Sequence, residues 1–135
     1  RRIAVLGLTF KPDTDDLRYA PALTLIRALV EAGAFVTTYD PVAMDKAQKI
    51  LPEQVVFSQD PYTAVRKADA VILATEWTEF LKLDFKKIKK LVRQPLIFDA
   101  RNALPGAKLK RLGFDYVGVG TRVLLNGSRT AARKK

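Results

Sequence analysis

Hydrophobic residues in this chain form short apolar runs that alternate with segments of helical spacing. Residues 3–8 are nearly all apolar, which is typical of a parallel strand covered on both faces. Residues 22–30 carry apolar side chains at helical spacing, which predicts a helix, and Pro21 suits its opening turn. The same alternation continues to residue 119. Further strands are predicted at residues 35–39, 55–57, 70–74, 96–98 and 116–119, and further helices at 42–51, from 61 to about 67, 85–92 and about 108–112.

Strands that alternate with helices predict an α/β fold. We expect a doubly wound, mostly parallel, Rossmann-like sheet with helices on both of its faces. Residues 1–121 are predicted to form one domain, and residues 122–135 a basic, disordered tail. In such a sheet the carboxyl ends of the strands share one edge. The polar segments that follow Leu8, Ala74 and Phe98 are therefore expected to lie together there.

The composition removes several kinds of chemistry. Cysteine and histidine are both absent, which excludes disulfides, thiol nucleophiles, Ser–His pairs and the usual zinc sites. No pair of carboxylates has a setting that predicts separated pKa values, so we predict neither a catalytic residue nor a metal site. No apolar run is long enough to cross a bilayer, and the chain enters a strand at once without a signal-peptide core. We expect a soluble, cytoplasmic protein with no membrane partner.

The positive charge favours an anionic partner without choosing one. The chain has 24 Lys and Arg against 14 Asp and Glu, a formal charge of +10, which suits phosphates, nucleotides, nucleic acid or acidic lipid. A basic nucleic-acid-binding module is one alternative, although the aromatic residues are not interleaved with the cations as in stacking platforms. The lysines of the helix at residues 85–92 suit an ordinary solvated face. A purely structural role in packing and assembly is another alternative.

Two cations follow the first strand, where a ligand is expected. Lys11 supplies a point charge and Arg18 a planar fork of donors, and both suit a diphosphate. Local pairing with the acids at residues 13–16 is an equally good interpretation. The segment from Gly7 lacks the G-x-G-x-x-G pattern, so this is not the usual NAD-binding half.

Later strand exits carry further candidates. Asp40 occupies the place of a ribose-binding acid, but it precedes a proline and is better interpreted as a helix cap. Trp77 follows the strand at residues 70–74 and is expected to cover the core. Arg101 is well placed for a phosphate, and Asp99 could pair with it or hold a loop amide.

Several separated motifs, in order, resemble the C-terminal UDP-binding domain of UDP-glucose 6-dehydrogenases in the UDP-glucose/GDP-mannose dehydrogenase family. The resemblance covers the chain to about residue 122. Its motifs are GLTFKPDTDDLR at residues 7–18, APAL at 20–23, YDP at 39–41, ATEWTEF at 74–80 and FDARN at 98–102.

The resemblance implies an NAD-dependent, two-step oxidation of UDP-glucose to UDP-glucuronate, for polysaccharide biosynthesis. This chain would supply only the second half of the cleft and would be inactive alone, with NAD bound mainly by the N-terminal NAD-binding domain of a homo-oligomeric enzyme. By the family pattern Lys11 and Arg101 would bind the UDP-sugar substrate, and Arg18 would approach the NAD diphosphate. GDP-mannose or a UDP-N-acetylhexosamine remains an alternative substrate.

Overall fold

A computed structural model describes residues 1–119, in which strands and helices alternate. The basic tail predicted at residues 122–135 lies outside the described residues. The strands are β1 (Arg2–Leu6), β2 (Phe35–Tyr39), β3 (Val56–Phe57), β4 (Ala70–Leu73), β5 (Leu96–Asp99) and β6 (Asp115–Gly118). The helices are α1 (Pro21–Glu31), α2 (Met44–Gln48), α3 (Pro61–Val65), α4 (Thr78–Leu81), α5 (Phe85–Leu91) and α6 (Gly106–Arg111).

The six strands form one parallel sheet in the order β3-β2-β1-β4-β5-β6, which confirms the predicted fold. In register, Leu6 lies beside Leu73, and Leu73 lies beside Asp99. The ends of β1, β4 and β5 are therefore neighbours, and the predicted convergence of three polar strand exits is confirmed. The strand order reverses between β1 and β4, where sheets of this kind open a crevice for ligands.

Helices cover both faces of the sheet, because the strands have apolar side chains on both faces and each face must be buried. Leu6 and Leu73 face one core cluster, which includes Ile88 of α5 and Leu109 of α6. Val5 and its neighbours face the other cluster, to which α1 and α2 contribute. Since successive strand residues point to opposite faces, each strand serves both clusters.

Several predicted boundaries differ from the observed ones, and three differences have local reasons. β1 ends at Leu6 rather than residue 8, because Gly7 has a positive φ of 98° that turns the chain out of the strand. α2 begins at Met44 rather than residue 42, because the residues that follow Asp40 first form a turn. The segment after β4 was expected to be a loop, yet it contains α4, whose four residues are too few to show a period.

Candidate functional site

The exits of β1 and β4 touch at Gly7. A Cβ added to Gly7 would lie 2.6 Å from the Thr75 Cβ and 2.7 Å from the Thr75 backbone nitrogen. The Thr75 hydroxyl donates to the Thr9 carbonyl, and both threonines are buried. Only glycine fits this close approach, and the contact fixes how the first loop leaves the sheet.

Asp40, at the exit of β2, anchors the first loop from the other side. Its buried carboxylate accepts hydrogen bonds from the backbone N–H groups of Leu8 (2.8 Å), Val42 (2.9 Å) and Ala43 (2.9 Å). The predicted helix cap is wrong, because α2 begins after Ala43 without a side-chain cap, and Asp40 instead binds the amides of the turn that precedes the helix. With these three donors bound, the carboxylate serves the backbone rather than a ribose.

Arg101 is the point at which three strand exits meet. Its Nε donates to the Glu76 carboxylate at 2.9 Å, which joins the exits of β5 and β4. Its guanidinium carbon lies 5.7 Å from the centre of the Phe10 ring, in the loop after β1. The side chain of Arg101 is 27 % exposed, so it is held in the crevice and still reaches solvent.

Asp99 holds the backbone of this arginine rather than its side chain. One carboxylate oxygen accepts from the Arg101 N–H at 3.0 Å, and the other from the Leu104 N–H at 2.7 Å and the Tyr116 hydroxyl at 2.9 Å. Burial, followed by this hydrogen bond, raises the pKa of Tyr116. Of the two roles predicted for Asp99, the structure shows the binding of loop amides.

Lys11 lies on the same edge, one residue from Phe10. Its side chain is exposed, and its carbonyl accepts a 2.8 Å hydrogen bond from the Thr9 hydroxyl. The backbone of Lys11 is thus tied to a buried threonine, which itself touches β4 through Thr75. Lys11 is next in sequence to Phe10, whose ring lies 5.7 Å from the Arg101 guanidinium carbon.

Arg18 lies farther along the loop, on a different surface. Its guanidinium binds the Asp16 carboxylate at 2.8 Å, and this hydrogen bond holds the pKa of that carboxyl well below its usual range. Arg18 lines an open groove of about 720 Å³ with Lys46 and Ile50. That lining includes neither Lys11 nor Arg101. The alternative of local pairing is confirmed for Arg18, and the structure does not bring it against the other two cations.

Two aromatic residues near the edge are structural. Trp77 is buried in the core cluster, as predicted. The Tyr39 hydroxyl donates to Glu79 at 3.0 Å, and burial, followed by this hydrogen bond, raises the pKa of Tyr39 to about 12. Within residues 1–119, no group of three or more His, Cys, Asp or Glu could hold a metal ion.

The partnership of Glu76 with Arg101 was missed at the level of sequence. The two residues stand three positions after β4 and two positions after β5. Because those strands are neighbours in the predicted order, offsets that differ by only one residue are a usable signal for a contact. Opposite charges at equivalent exits of adjacent parallel strands predict such a pair.

A doubly wound parallel sheet with polar side chains at its switch point defines a nucleotide-binding α/β domain. Residues 4–106 match the model of the UDP-glucose/GDP-mannose dehydrogenase family, UDP binding domain. The chain belongs to this family.

Relatives of known name agree with the family. The chain is 46% identical over 119 residues to the UDP-glucose 6-dehydrogenase of Rhizobium meliloti, covering 88% of this chain and 27% of the relative. It superposes on a UDP-glucose dehydrogenase from Pyrobaculum islandicum with a TM-score of 0.72 and 36% identity, covering 88% and 25% of the two chains. An NDP-N-acetyl-D-galactosaminuronic acid dehydrogenase from Methanosarcina mazei gives a TM-score of 0.72 and 27% identity, covering 88% and 24%. The chain spans about a quarter of the length of these proteins.

Proposed function

We propose that this chain is the UDP-binding part of an NAD-dependent UDP-glucose 6-dehydrogenase, which oxidises UDP-glucose to UDP-glucuronate. The observation that carries the proposal is the position of Arg101, between Glu76 and Phe10 at the joint edge of β1, β4 and β5. The names of the relatives support the activity. They also favour a nucleotide-sugar enzyme over a nucleic-acid-binding module.

Arg101 and Lys11 hold the diphosphate of the UDP-sugar in complementary ways. Since the Arg101 Nε is bound to Glu76, its two terminal nitrogens serve as a fork for phosphate oxygens. Lys11, the residue after Phe10, adds a flexible point charge. A charge-assisted contact of this kind contributes about 1.5–3 kcal/mol, or about ten- to hundredfold in affinity.

The domain orients the substrate and leaves the chemistry to the rest of a longer protein. Binding energy from the UDP handle positions the sugar carbon C6. In the complete enzyme the C6 alcohol would lose two hydrides in turn, which NAD would accept, while one water molecule would supply the second carboxylate oxygen and three protons would be released. NAD is held mainly by a preceding N-terminal domain, and Arg18 approaches its diphosphate once the two halves of the cleft face each other. The complete enzyme is proposed to be a cytoplasmic homo-oligomer.

Steady-state kinetics of the complete enzyme test this proposal through Lys11→Ala. The KM for UDP-glucose is expected to rise about ten- to hundredfold, because a charge-assisted phosphate contact is lost. The control is Lys49→Ala, which removes an exposed lysine at the end of α2. Unchanged KM and kcat in the Lys11 variant would reject the assignment.

The identity of the sugar is tested separately with a panel of ligands. UDP alone is expected to bind nearly as well as UDP-glucose, because the domain holds the nucleotide rather than the hexose. GDP-mannose and UDP-N-acetylhexosamines complete the panel, since the Methanosarcina mazei relative acts on an N-acetylated sugar nucleotide by its name. Turnover of one of these in preference to UDP-glucose would reassign the substrate while keeping the nucleotide site.

A further inference from the structure

The excess of positive charge lies after residue 80, in residues 81–119 and in residues 120–135, which contain five Lys and Arg and no acid. Residues 1–80 contain nine Lys and Arg against eleven Asp and Glu, a net charge of −2. Residues 81–119 contain ten against three, a net charge of +7. The part that includes Lys11 and Arg18 is thus slightly acidic, and binding of a diphosphate does not explain the basic character of the chain.

Seven of the ten cations of residues 81–119 belong to α5 and α6, whereas Arg93 pairs with Asp69 and Arg101 with Glu76. Ile88 and Leu109 point into the core, so the 100° step of a helix turns the lysines and Arg111 away from the sheet. The segment that follows α6 contacts α5, because Phe114, three residues after α6, packs edge to face on Phe85 of α5 with ring centres 6.3 Å apart. We call the basic face the exposed side chains of Lys86, Lys89, Lys90, Lys108 and Arg111.

Lys89 makes the basic face continuous between the two helices. Its side chain lies over Gly113, just beyond α6, where an added Cβ would come within 2.6 Å of the Lys89 Cε. Lys87 points the other way, with its ammonium 4.3 Å from the centre of the Tyr62 ring, and is not part of the face. The cations of the two helices therefore form one surface rather than two separate rows.

Few acids offset this surface. Between residues 85 and 114 the sequence contains one acid, Asp99, which is fully buried beneath the sheet edge. Asp84, which caps α5, and Asp115, which opens β6, stand at its borders. A contiguous set of cations with acids only at its margin creates a field that attracts polyanions.

We propose that the basic face adsorbs onto anionic lipid bilayers. Four of its five cations are lysines, whose compact hydrated charges suit a diffuse layer of headgroups better than forked readout of single phosphates. It offers no aromatic platform for bases, and α5 and α6 have seven and six residues, which is short for a helix that enters a DNA groove.

Adsorption requires no membrane-spanning segment. No helix within residues 1–119 is long and apolar enough to cross a bilayer. The sequence-based expectation of no membrane partner rested on that criterion, which does not address attraction between a basic surface and acidic headgroups. The joint edge of β1, β4 and β5, where we propose that the nucleotide binds, contains none of the basic-face residues. A nucleotide and a lipid surface can therefore be bound at the same time.

Vesicle co-sedimentation of the 135-residue chain tests the proposal. The vesicles contain equal parts of phosphatidylglycerol and phosphatidylcholine, and phosphatidylcholine alone is the neutral control. The test variant is Lys86→Glu/Lys108→Glu, which reverses one exposed charge of the basic face on each helix. The matched variant is Arg27→Glu/Lys49→Glu, which makes the same change in net charge at α1 and α2, on the opposite face of the sheet.

The chain is expected to sediment with the anionic vesicles at low salt and to be released from them by added salt. It should not sediment with the neutral vesicles. Each lysine near such a surface is worth about fivefold, so the test variant should bind at least about tenfold more weakly, and the matched variant less than threefold. Equal losses in both variants would assign the binding to net charge and overturn the proposal, as would a failure to bind anionic vesicles. Tighter binding to a short DNA duplex than to vesicles at physiological salt would assign the face to nucleic acid instead.

Discussion

Replacing Arg101 by lysine separates the geometry of the site from its charge. In the structure one guanidinium serves two directions, since Nε binds Glu76 at 2.9 Å while the terminal nitrogens are available to a phosphate. Lysine keeps the charge but has a single side-chain nitrogen, which cannot bind Glu76 and the phosphate with the geometry of the guanidinium fork. Losing one charge-assisted hydrogen bond of about 1.5 kcal/mol predicts a fall of about tenfold in affinity for UDP.

Calorimetric titration with UDP measures this effect. Arg101→Ala is expected to bind UDP about ten- to hundredfold more weakly than the parent, and the affinity of Arg101→Lys should lie between the two. A double-mutant cycle with Glu76→Ala isolates the orienting contact. We expect a coupling of about 0.5–1.5 kcal/mol, because the two side chains are 27% and 33% exposed and only partly screened.

Arg27→Lys, on the exposed side of α1, is the control and should leave UDP binding unchanged. If Arg101→Lys binds UDP as tightly as the parent, the fork geometry is not used and the proposed role of Glu76 is refuted. If Arg101→Ala also binds as tightly, Arg101 is not part of the nucleotide site.

Three further predictions concern the scaffold of the site. Gly7→Ala should lower the free energy of unfolding by about 2–5 kcal/mol in chemical denaturation, because it combines a positive φ with a clash against the Thr75 backbone; a loss below 1 kcal/mol would show that the loop relaxes freely. Asp40→Ala should lower the free energy of unfolding by about 2–4 kcal/mol in the same assay, because three amide donors lose their acceptor. An unchanged free energy of unfolding would contradict the anchoring role of Asp40. The pKa of Tyr39, about 12 when folded against 10.0 ordinarily, favours folding with a neutral phenol. Its stabilising contribution should be complete below pH 10 and lost as the pH rises from about 10 to about 12, and Tyr39→Phe should remove that part of the alkaline loss.

The sheet could be predicted because its signals are local and repeated. Each buried strand is a short apolar run, and the helix predicted from residue 61 begins there in the structure, where Asp60 caps it. Once β-α alternation is established, right-handed crossovers restrict the strand order to very few choices. The edge on which Lys11 and Arg101 lie follows from that order.

The contacts within the site could not be predicted in the same way. Arg18 pairs with Asp16, two residues before it. The sequence has acids at several positions near Arg18, and only the conformation of the loop decides which of them the guanidinium binds. Glu76 and Arg101 meet across 25 residues, which only the tertiary structure brings together. The charge asymmetry was present in the sequence, yet its meaning depends on the contact between α5 and the segment that follows α6.

The central claim is that UDP binds at the joint edge of β1, β4 and β5. Titration of the isotopically labelled chain with UDP, followed through its backbone amide shifts, tests it directly. We predict the largest shifts at residues 9–12, 75–77 and 100–102. Shifts confined to the groove around Arg18 and Lys46, or to α5 and α6, would contradict the account, as would the absence of any shift at saturating UDP.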